Sequence, residues 1–234
     1  PCAPNCKLPD KWDWRNVDGV NWMNPIRAQA VCGSCWAFSA VAGVEHRYNV
    51  EQNCPACNKK LSEQNMVSSC CSAGDCLGGW HYKGLGFAIS PGIVDENCFP
   101  YTSTPCVAKQ GDRLVCLSRC THGGVCSYPG SCNSKCADWN AHLWKIGGYT
   151  GVRTNTKDIK RALICQGPLS MALTSIAHAV MLAGYDDSTN QWIIRNSWGV
   201  IDGVKHEIPH TKGYGFVSYS NIRMVYYAKN VKSP

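Results

Sequence analysis

Seventeen cysteines in 234 residues constrain this chain more than any other feature. Sulfur at that density belongs to an oxidising compartment, where disulfides persist and staple loops that a hydrophobic core does not hold. An export signal is then expected. The start shows no basic stretch followed by an apolar run, so the sequence reads as a processed, mature form. The cysteine count is odd, so one sulfur is left over, pairs with another chain or is kept free. Hydrophobic residues make up 44%, enough for one large domain or two small lobes with real cores. A charged content of 17% with 10% aromatics excludes a disordered chain. The net charge of +7 comes from scattered residues, the tightest pair being Lys59-Lys60, so no basic stripe suits a nucleic-acid backbone. No apolar run approaches the ~20 residues that span a bilayer.

Along the chain, Pro1, Pro4, Pro9 and Pro25 break any long helix, and residues 1–30 read as an irregular arm. Residues 35–49 are rich in Ala and carry Trp36, Phe38, Val41 and Val44 at mixed three- and four-residue steps, which predicts a mostly buried helix. Ser62 is placed to cap a second helix through residues 63–67. Residues 82–90 form a third helical candidate ending before Pro91-Gly92. Residues 98–136 hold seven Cys among Gly, Pro and Ser and read as a loop-rich insertion held by disulfides. Residues 157–165 predict a helix stopped by Gly167-Pro168. β-type runs follow at 181–185, 191–195, 214–219 and 223–228. Helices first and strands later predict an α+β protein.

The sharpest chemical signal is Gln29-Ala30-Val31-Cys32-Gly33-Ser34-Cys35-Trp36. A thiol is a poor nucleophile until ionised, and at about pH 5.5 only about one thiol in a thousand is ionised at an ordinary pKa. A cysteine in the first turn of a helix meets free N–H groups and the positive end of the dipole, both favouring an anion. A nearby imidazole favours it further and can accept the proton. Asn196 follows His178 by 18 residues. A strand pair joined by a turn would bring its side-chain oxygen to the imidazole and fix the ring's tautomer.

The segment around Cys35 resembles the active-site signature of the papain/cathepsin-type cysteine proteases. Further pieces occur in that family's order: Leu61-Ser62-Glu63-Gln64, Cys76-Leu77-Gly78-Gly79, Gly167-Pro168-Leu169-Ser170, His178-Ala179-Val180 and Asn196-Ser197-Trp198-Gly199. The resemblance covers roughly residues 8–230. It implies a papain-like two-lobe α+β fold with the active-site cleft between lobes. A mainly helical lobe would span residues 1–137, with the N-terminal arm and the insertion 98–136. A β-barrel-like lobe would span 138–234. Cys35 would be the nucleophile, His178 its acid and base, Asn196 the orienting group and Gln29 the oxyanion donor. Trp198 would shield the His–Asn pair, and Gly78 and Gly79 would pair with a substrate backbone. Trp80, Ala172, Ile176 and Ala179 would line the pocket for the second residue before the cut (P2), which favours an apolar side chain there. Cys32 would pair with Cys76, and Cys70 or Cys71 would reach the insertion at Cys106. The implied activity is a cysteine endopeptidase working through a thioester, with no cofactor and no metal. The implied partners are peptide or protein substrates, an N-terminal propeptide and cystatin-type inhibitors. A secreted or lysosomal/vacuolar monomer is expected.

Other features weigh as structural. His46, His81, His122, His142, His206 and His210 read as surface or satisfied core residues, Trp12 and Trp14 as packing residues, and Asp95 and Glu96 as solvated. Cys54 and Cys57 read as half-cystines rather than a zinc half-site, and the five Cys of 116–136 lack a zinc spacing. Removing Cys35 leaves sixteen Cys, enough for eight disulfides. Three departures from the family stand out. Only ten residues separate Gly167 from His178. A second Trp-Gly after the Asn motif is replaced by Val200-Ile201-Asp202-Gly203. Cys98-Phe99-Pro100-Tyr101 resembles the stretch before the cathepsin B occluding loop, yet His122 is the only His in the insertion, which favours endopeptidase over dipeptidyl-carboxypeptidase. The rival readings are that exopeptidase, a catalytically silent papain-like binding protein, and a transglutaminase-type acyl transferase.

Overall fold

The computed structural model describes residues 2, 6–30, 32–102, 131–199 and 213–234, and the backbone alone of 107–110, 113–116 and 210–211. In chain order it runs β1 (Lys11–Asp13), α1 (Cys35–Glu51), α2 (Glu63–Val67), β2 (Gly74–Asp75), β3 (Gly78–Gly79), α3 (His81–Ile89), β4 (Ile93–Val94), β5 (Val107–Gln110) and β6 (Arg113–Cys116). Two 3-10 turns and β7 (Leu143–Val152), α4 (Thr156–Gln166), β8 (Leu169–Ala172), β9 (Ala179–Asp186), β10 (Gln191–Arg195), β11 (His210–Thr211), β12 (Tyr214–Ser218) and β13 (Arg223–Lys232) follow. The class is α+β, as predicted.

Helix α1 is central because it is apolar nearly all round. Every residue from Trp36 to His46 is buried. It packs against α3 and α2 on one side and against β8, β9 and β13 on the other. Its buried serine and histidine are hydrogen-bonded inside. Ser39 Oγ donates to the Val180 carbonyl at 2.8 Å. The Asn24 N–H donates to His46 Nε2 at 3.1 Å, so Nδ1 carries the hydrogen given to the Ala42 carbonyl at 2.6 Å. Helix α2 is capped as expected, Ser62 Oγ accepting the Asn65 N–H at 2.9 Å.

The sheet is antiparallel, in the order β11-β12-β10-β9-β8-β13-β7-β4, with β1 added on β9. One hydrophobic cluster fills the sheet side around Trp14, Ile159, Leu169, Tyr185 and Trp192. A second surrounds α1 and α3, with Trp36, Met66, Leu85, Ile93 and Trp144. Strands β9 and β10 form a hairpin with Arg195 opposite Met181. This places the residue before β9, His178, and the residue after β10, Asn196, at the same end.

Several expectations need correction. The arm is not wholly irregular: β1 pairs with β9, Asp13 lying opposite Gly184. A Cβ at Gly184 would sit 2.3 Å from the Trp12 carbonyl oxygen, so its missing side chain admits the strand. Strand β7 was not expected, because Gly147, Gly148 and Gly151 interrupt its apolar pattern. Its register comes from pairing with β13. Asp95 and Glu96 are not merely solvated. Asp95 lies 2.6 Å from His142 Nδ1 and accepts the Cys98 N–H at 2.9 Å. Glu96 lies 2.6 Å from the Arg27 guanidinium and accepts the Tyr101 N–H at 3.0 Å.

The disulfides tie loops to this frame. Described pairs are Cys2–Cys165, Cys32–Cys76, Cys54–Cys57, Cys70–Cys132 and Cys98–Cys136. Cys98–Cys136 closes the ends of the insertion, and Cys70 reaches it at Cys132 rather than Cys106. The expectation of a single free thiol fails. Cys6 and Cys71 are free besides Cys35, because parity fixes only that the unpaired number is odd. Cys71 packs into the helical-side cluster as a small apolar group. Cys106, Cys120, Cys126 and His122 lie outside the described residues, as does the side chain of Cys116. Among the described residues no helix is long and apolar enough to cross a membrane.

Candidate active site

Cys35 is the first residue of α1, at the helix end where unpaired N–H groups and the dipole favour negative charge. The loop before it is stapled to the β2–β3 segment. The Gly33 N–H donates to the Cys76 carbonyl at 2.7 Å, and the Cys32–Cys76 disulfide closes the same contact. A Cβ at Gly33 would lie 2.6 Å from that carbonyl oxygen, so only glycine allows this approach. Ser34, directly before the helix, is fully buried and makes no side-chain cap. Its hydroxyl lies 2.7 Å from Tyr101 Oη, which itself donates to the Gln29 carbonyl at 2.9 Å. A carbonyl only accepts, so Ser34 is the donor in the Ser34–Tyr101 bond.

His178 and Asn196 meet as the hairpin predicts. His178 Nε2 is 2.8 Å from Asn196 Oδ1. The same oxygen accepts the Ser197 backbone N–H at 2.8 Å. That N–H can only donate, so the amide cannot be flipped, and His178 carries its hydrogen on Nε2. The Trp198 ring stacks on the imidazole, centroids 4.5 Å apart and planes inclined at 28°. Both His178 and Asn196 are buried, which keeps the bond dry.

Gln29 is buried and held at both ends of its amide. Ser197 Oγ donates to its Oε1 at 2.7 Å, and its Nε2 donates to the Cys32 carbonyl at 2.9 Å. Its backbone N–H bonds to the Ser197 carbonyl at 2.6 Å. The Asn196 segment and Gln29 are therefore one unit. Ser197 and Tyr101 do this positioning, and neither had been singled out. Ser197 stands inside the Asn196 motif and Tyr101 inside the Cys98-Phe99-Pro100-Tyr101 stretch, but neither stretch signals a contact with Gln29.

A cleft of about 730 Å³ is lined by Gln29, Cys35, Gly78, Gly79, Trp80, Ala172, Ile176, His178, Ala179 and Trp198. All the expected site residues except Asn196 thus face one space, with Asn196 directly behind His178. Gly79 admits the Trp36 ring, since a Cβ there would come within 2.5 Å of it. Gly78 has φ +135° and open space before it. The short Gly167–His178 spacing forms a tight hairpin, in which the Leu173 N–H bonds to the His178 carbonyl at 2.9 Å and the His178 N–H to the Ile176 carbonyl at 2.8 Å. Residues 200–209, which replace the second Trp-Gly, lie outside the described residues.

Burial pushes the Cys35 thiol up from its ordinary value, against the backbone N–H groups of Ala179, Trp36 and Cys35, which favour the thiolate. A lone thiolate is costly in such a place. His46 and His81 sit in the core, where burial lowers them to about 3 and about 4 and both are hydrogen-bonded, while His206 and the side chain of His210, like His122, lie outside the described residues. Among the described residues, Cys136, Asp138 and His142 stand close enough to share an ion, but Cys136 is already bonded to Cys98.

The chain is similar to known proteins throughout. The sequence model of the papain family cysteine proteases matches residues 8–177, ending one residue before His178. Fruit bromelain of Ananas comosus is 29% identical over 215 residues, covering 82% of this chain and 52% of that protein. Cathepsin Z of Onchocerca volvulus is 30% identical over 220 residues, covering 82% of this chain and 66% of that protein. The gamete and mating-type specific protein A of Dictyostelium discoideum is 29% identical over 239 residues, of which this chain spans 45%. The chain thus spans about half to two thirds of these relatives' length. The ragweed pollen cysteine protease Amb a 11 in its proform superimposes with TM-score 0.70 at 22% identity, covering 99% of this chain and 69% of that one. Procathepsin L2 from the Tenebrio molitor midgut does so with TM-score 0.70 at 20% identity, covering 97% and 70%. With the family model matching well over half of its residues, the chain belongs to the papain family of cysteine proteases.

Proposed function

We propose that the protein is a cysteine endopeptidase whose nucleophile is Cys35. The observation that carries this reading is the joint placement of Cys35, Gln29 and His178 around one cleft, with His178 Nε2 committed to Asn196. Nδ1 is then the ring nitrogen that exchanges a proton with the thiol. Because burial makes an isolated thiolate costly, the anion forms together with the imidazolium as a pair. Sγ attacks the scissile carbonyl carbon. The oxyanion that forms is met by the Cys35 backbone N–H and by the second amide hydrogen of Gln29, the first being held by the Cys32 carbonyl. Collapse breaks the C–N bond, and the amine leaves with the proton from Nδ1. Water, deprotonated by Nδ1, then attacks the thioester, and the acid departs as the thiol is restored.

Trp80, Ala172, Ile176 and Ala179 give the P2 pocket apolar walls, which supports an apolar side chain at that position. Residues 1–137 and 138–234 are proposed as the two lobes. The proform neighbours support synthesis as a precursor with an N-terminal propeptide, and cystatin-type inhibitors and a monomeric state go with the same reading. Five described disulfides support a secreted or lysosomal/vacuolar location. The test is turnover of a blocked dipeptidyl fluorogenic amide and of an internally quenched peptide with a blocked C-terminus. Cleavage of both by the wild type, abolished in Cys35→Ser, is expected. No turnover by a folded, reduced sample refutes the hydrolase, and cleavage confined to peptides with a free C-terminal carboxylate refutes the endopeptidase.

A further inference from the structure

Two cations line the cleft, one of them beside the proposed P2 pocket. They are Lys83 and Arg223, and both are exposed. Neither takes part in an ion pair among the described residues, and no Asp or Glu lines the cleft among those residues. Asp75, in the strand beside Gly78, has its carboxylate turned to the Leu77 N–H at 2.7 Å.

The fold fixes where these cations stand. Arg223 opens β13 and lies opposite Ala172, a wall of the P2 pocket. His81, the first residue of α3, bonds through Nε2 to the Met224 carbonyl at 2.7 Å. Met224 has φ 52°, a left-handed turn that this bond holds in place. Tyr82 stacks on Tyr226 with centroids 5.6 Å apart. These contacts lock the start of α3 to the start of β13. Trp80 and Lys83, whose backbone N–H bonds to the Trp80 carbonyl at 2.9 Å, stand at that start of α3 and border the same cleft as Arg223. The charge of Arg223 is felt at His81, where it adds to burial in keeping that ring neutral.

We propose that this end of the cleft receives a carboxylate, so that the preferred peptides carry an acidic side chain two or three residues before the cut. The inference rests on the protease reading of the same cleft. It adds a charge requirement to the apolar walls: a side chain with an apolar stem and an acidic tip fits the pocket, or an acidic residue precedes the apolar one and lies at its mouth. The excess of basic residues over the whole chain, 23 against 16, draws such peptides toward the cleft.

The experiment compares fluorogenic tripeptidyl amides in pairs that differ only in Glu against Gln, one pair at the second and one at the third position before the cut. At least one Glu peptide is expected to exceed its Gln partner in kcat/KM by about fivefold at low salt. The advantage is expected to shrink at about 0.5 M NaCl and in Arg223→Gln and Lys83→Gln. Gln peptides cleaved as well as Glu peptides at both positions, or a Glu advantage indifferent to salt, overturn the proposal while leaving the protease intact. These wild-type comparisons decide the matter even where a variant folds poorly. Absence of turnover for all four peptides, with no covalent label on Cys35, overturns the protease reading together with it.

Discussion

His178 Nε2 and Asn196 Oδ1 lie 2.8 Å apart, joined end to end by a single β-hairpin. Because the Ser197 N–H fixes the amide, the bond dictates which imidazole nitrogen is protonated. Asn196→Ala is predicted to lower kcat by about 10²-fold, the scale of one acid–base group, with KM little changed. Steady-state kinetics on a blocked dipeptidyl amide check this. An unchanged kcat means that Trp198 and the backbone alone orient the ring.

Ser197 Oγ is the anchor of the Gln29 amide. Ser197→Ala removes the acceptor's partner and lets the amide rotate, so kcat should fall about tenfold. Gln29→Ala removes the donor itself and should cost about 10² to 10³. Combining the two substitutions should cost no more than Gln29→Ala alone, because both act on one oxyanion contact. Additive losses contradict this placement.

His46 is buried and neutral, with its folded-state pKa lowered to about 3 by burial and by the charge of Arg195. The unfolded chain binds a proton near pH 6.5, so acid favours unfolding. Stability is full above about pH 6.5 and is lost as the pH falls toward about 3. By about pH 5 this one group costs about 2 kcal/mol. Urea midpoints measured between pH 7 and pH 5 should fall in the wild type and fall less in His46→Gln. Parallel falls in both proteins contradict the assignment.

Gly33 is pressed against the Cys76 carbonyl, under the disulfide that carries the loop ahead of Cys35. Gly33→Ala forces backbone apart and should destabilise by about 1–3 kcal/mol. It should also displace the helix start, so that kcat falls. A thermal melt with paired kinetics checks both, and an unaltered Tm contradicts the close approach.

What was legible in the sequence was whatever local chemistry specifies. The Ala-rich, nearly all-apolar run from Trp36 announces α1, Ser62 announces the start of α2, and the His178–Asn196 spacing announces a hairpin. Strand β7 was hidden because its three glycines carry no pattern of their own and its register belongs to β13. The Cys70 partner was misplaced because insertion geometry decides it. Tyr101, 67 residues from Ser34, and Arg223, whose neighbour Met224 is tied to the start of α3 by the His81 bond, reach the cleft through long-range contacts that no local window contains.

The central claim is that Cys35 ionises as a pair with His178, and the most direct test is the rate of its alkylation as a function of pH. Mass-mapped labelling with an epoxysuccinyl peptide or iodoacetamide should modify Cys35 rapidly at pH values well below the ordinary thiol range. In His178→Ala the rate should collapse there and recover only where a buried thiol ionises unaided. Equal alkylation profiles in the two proteins, rising only at high pH, would contradict the account.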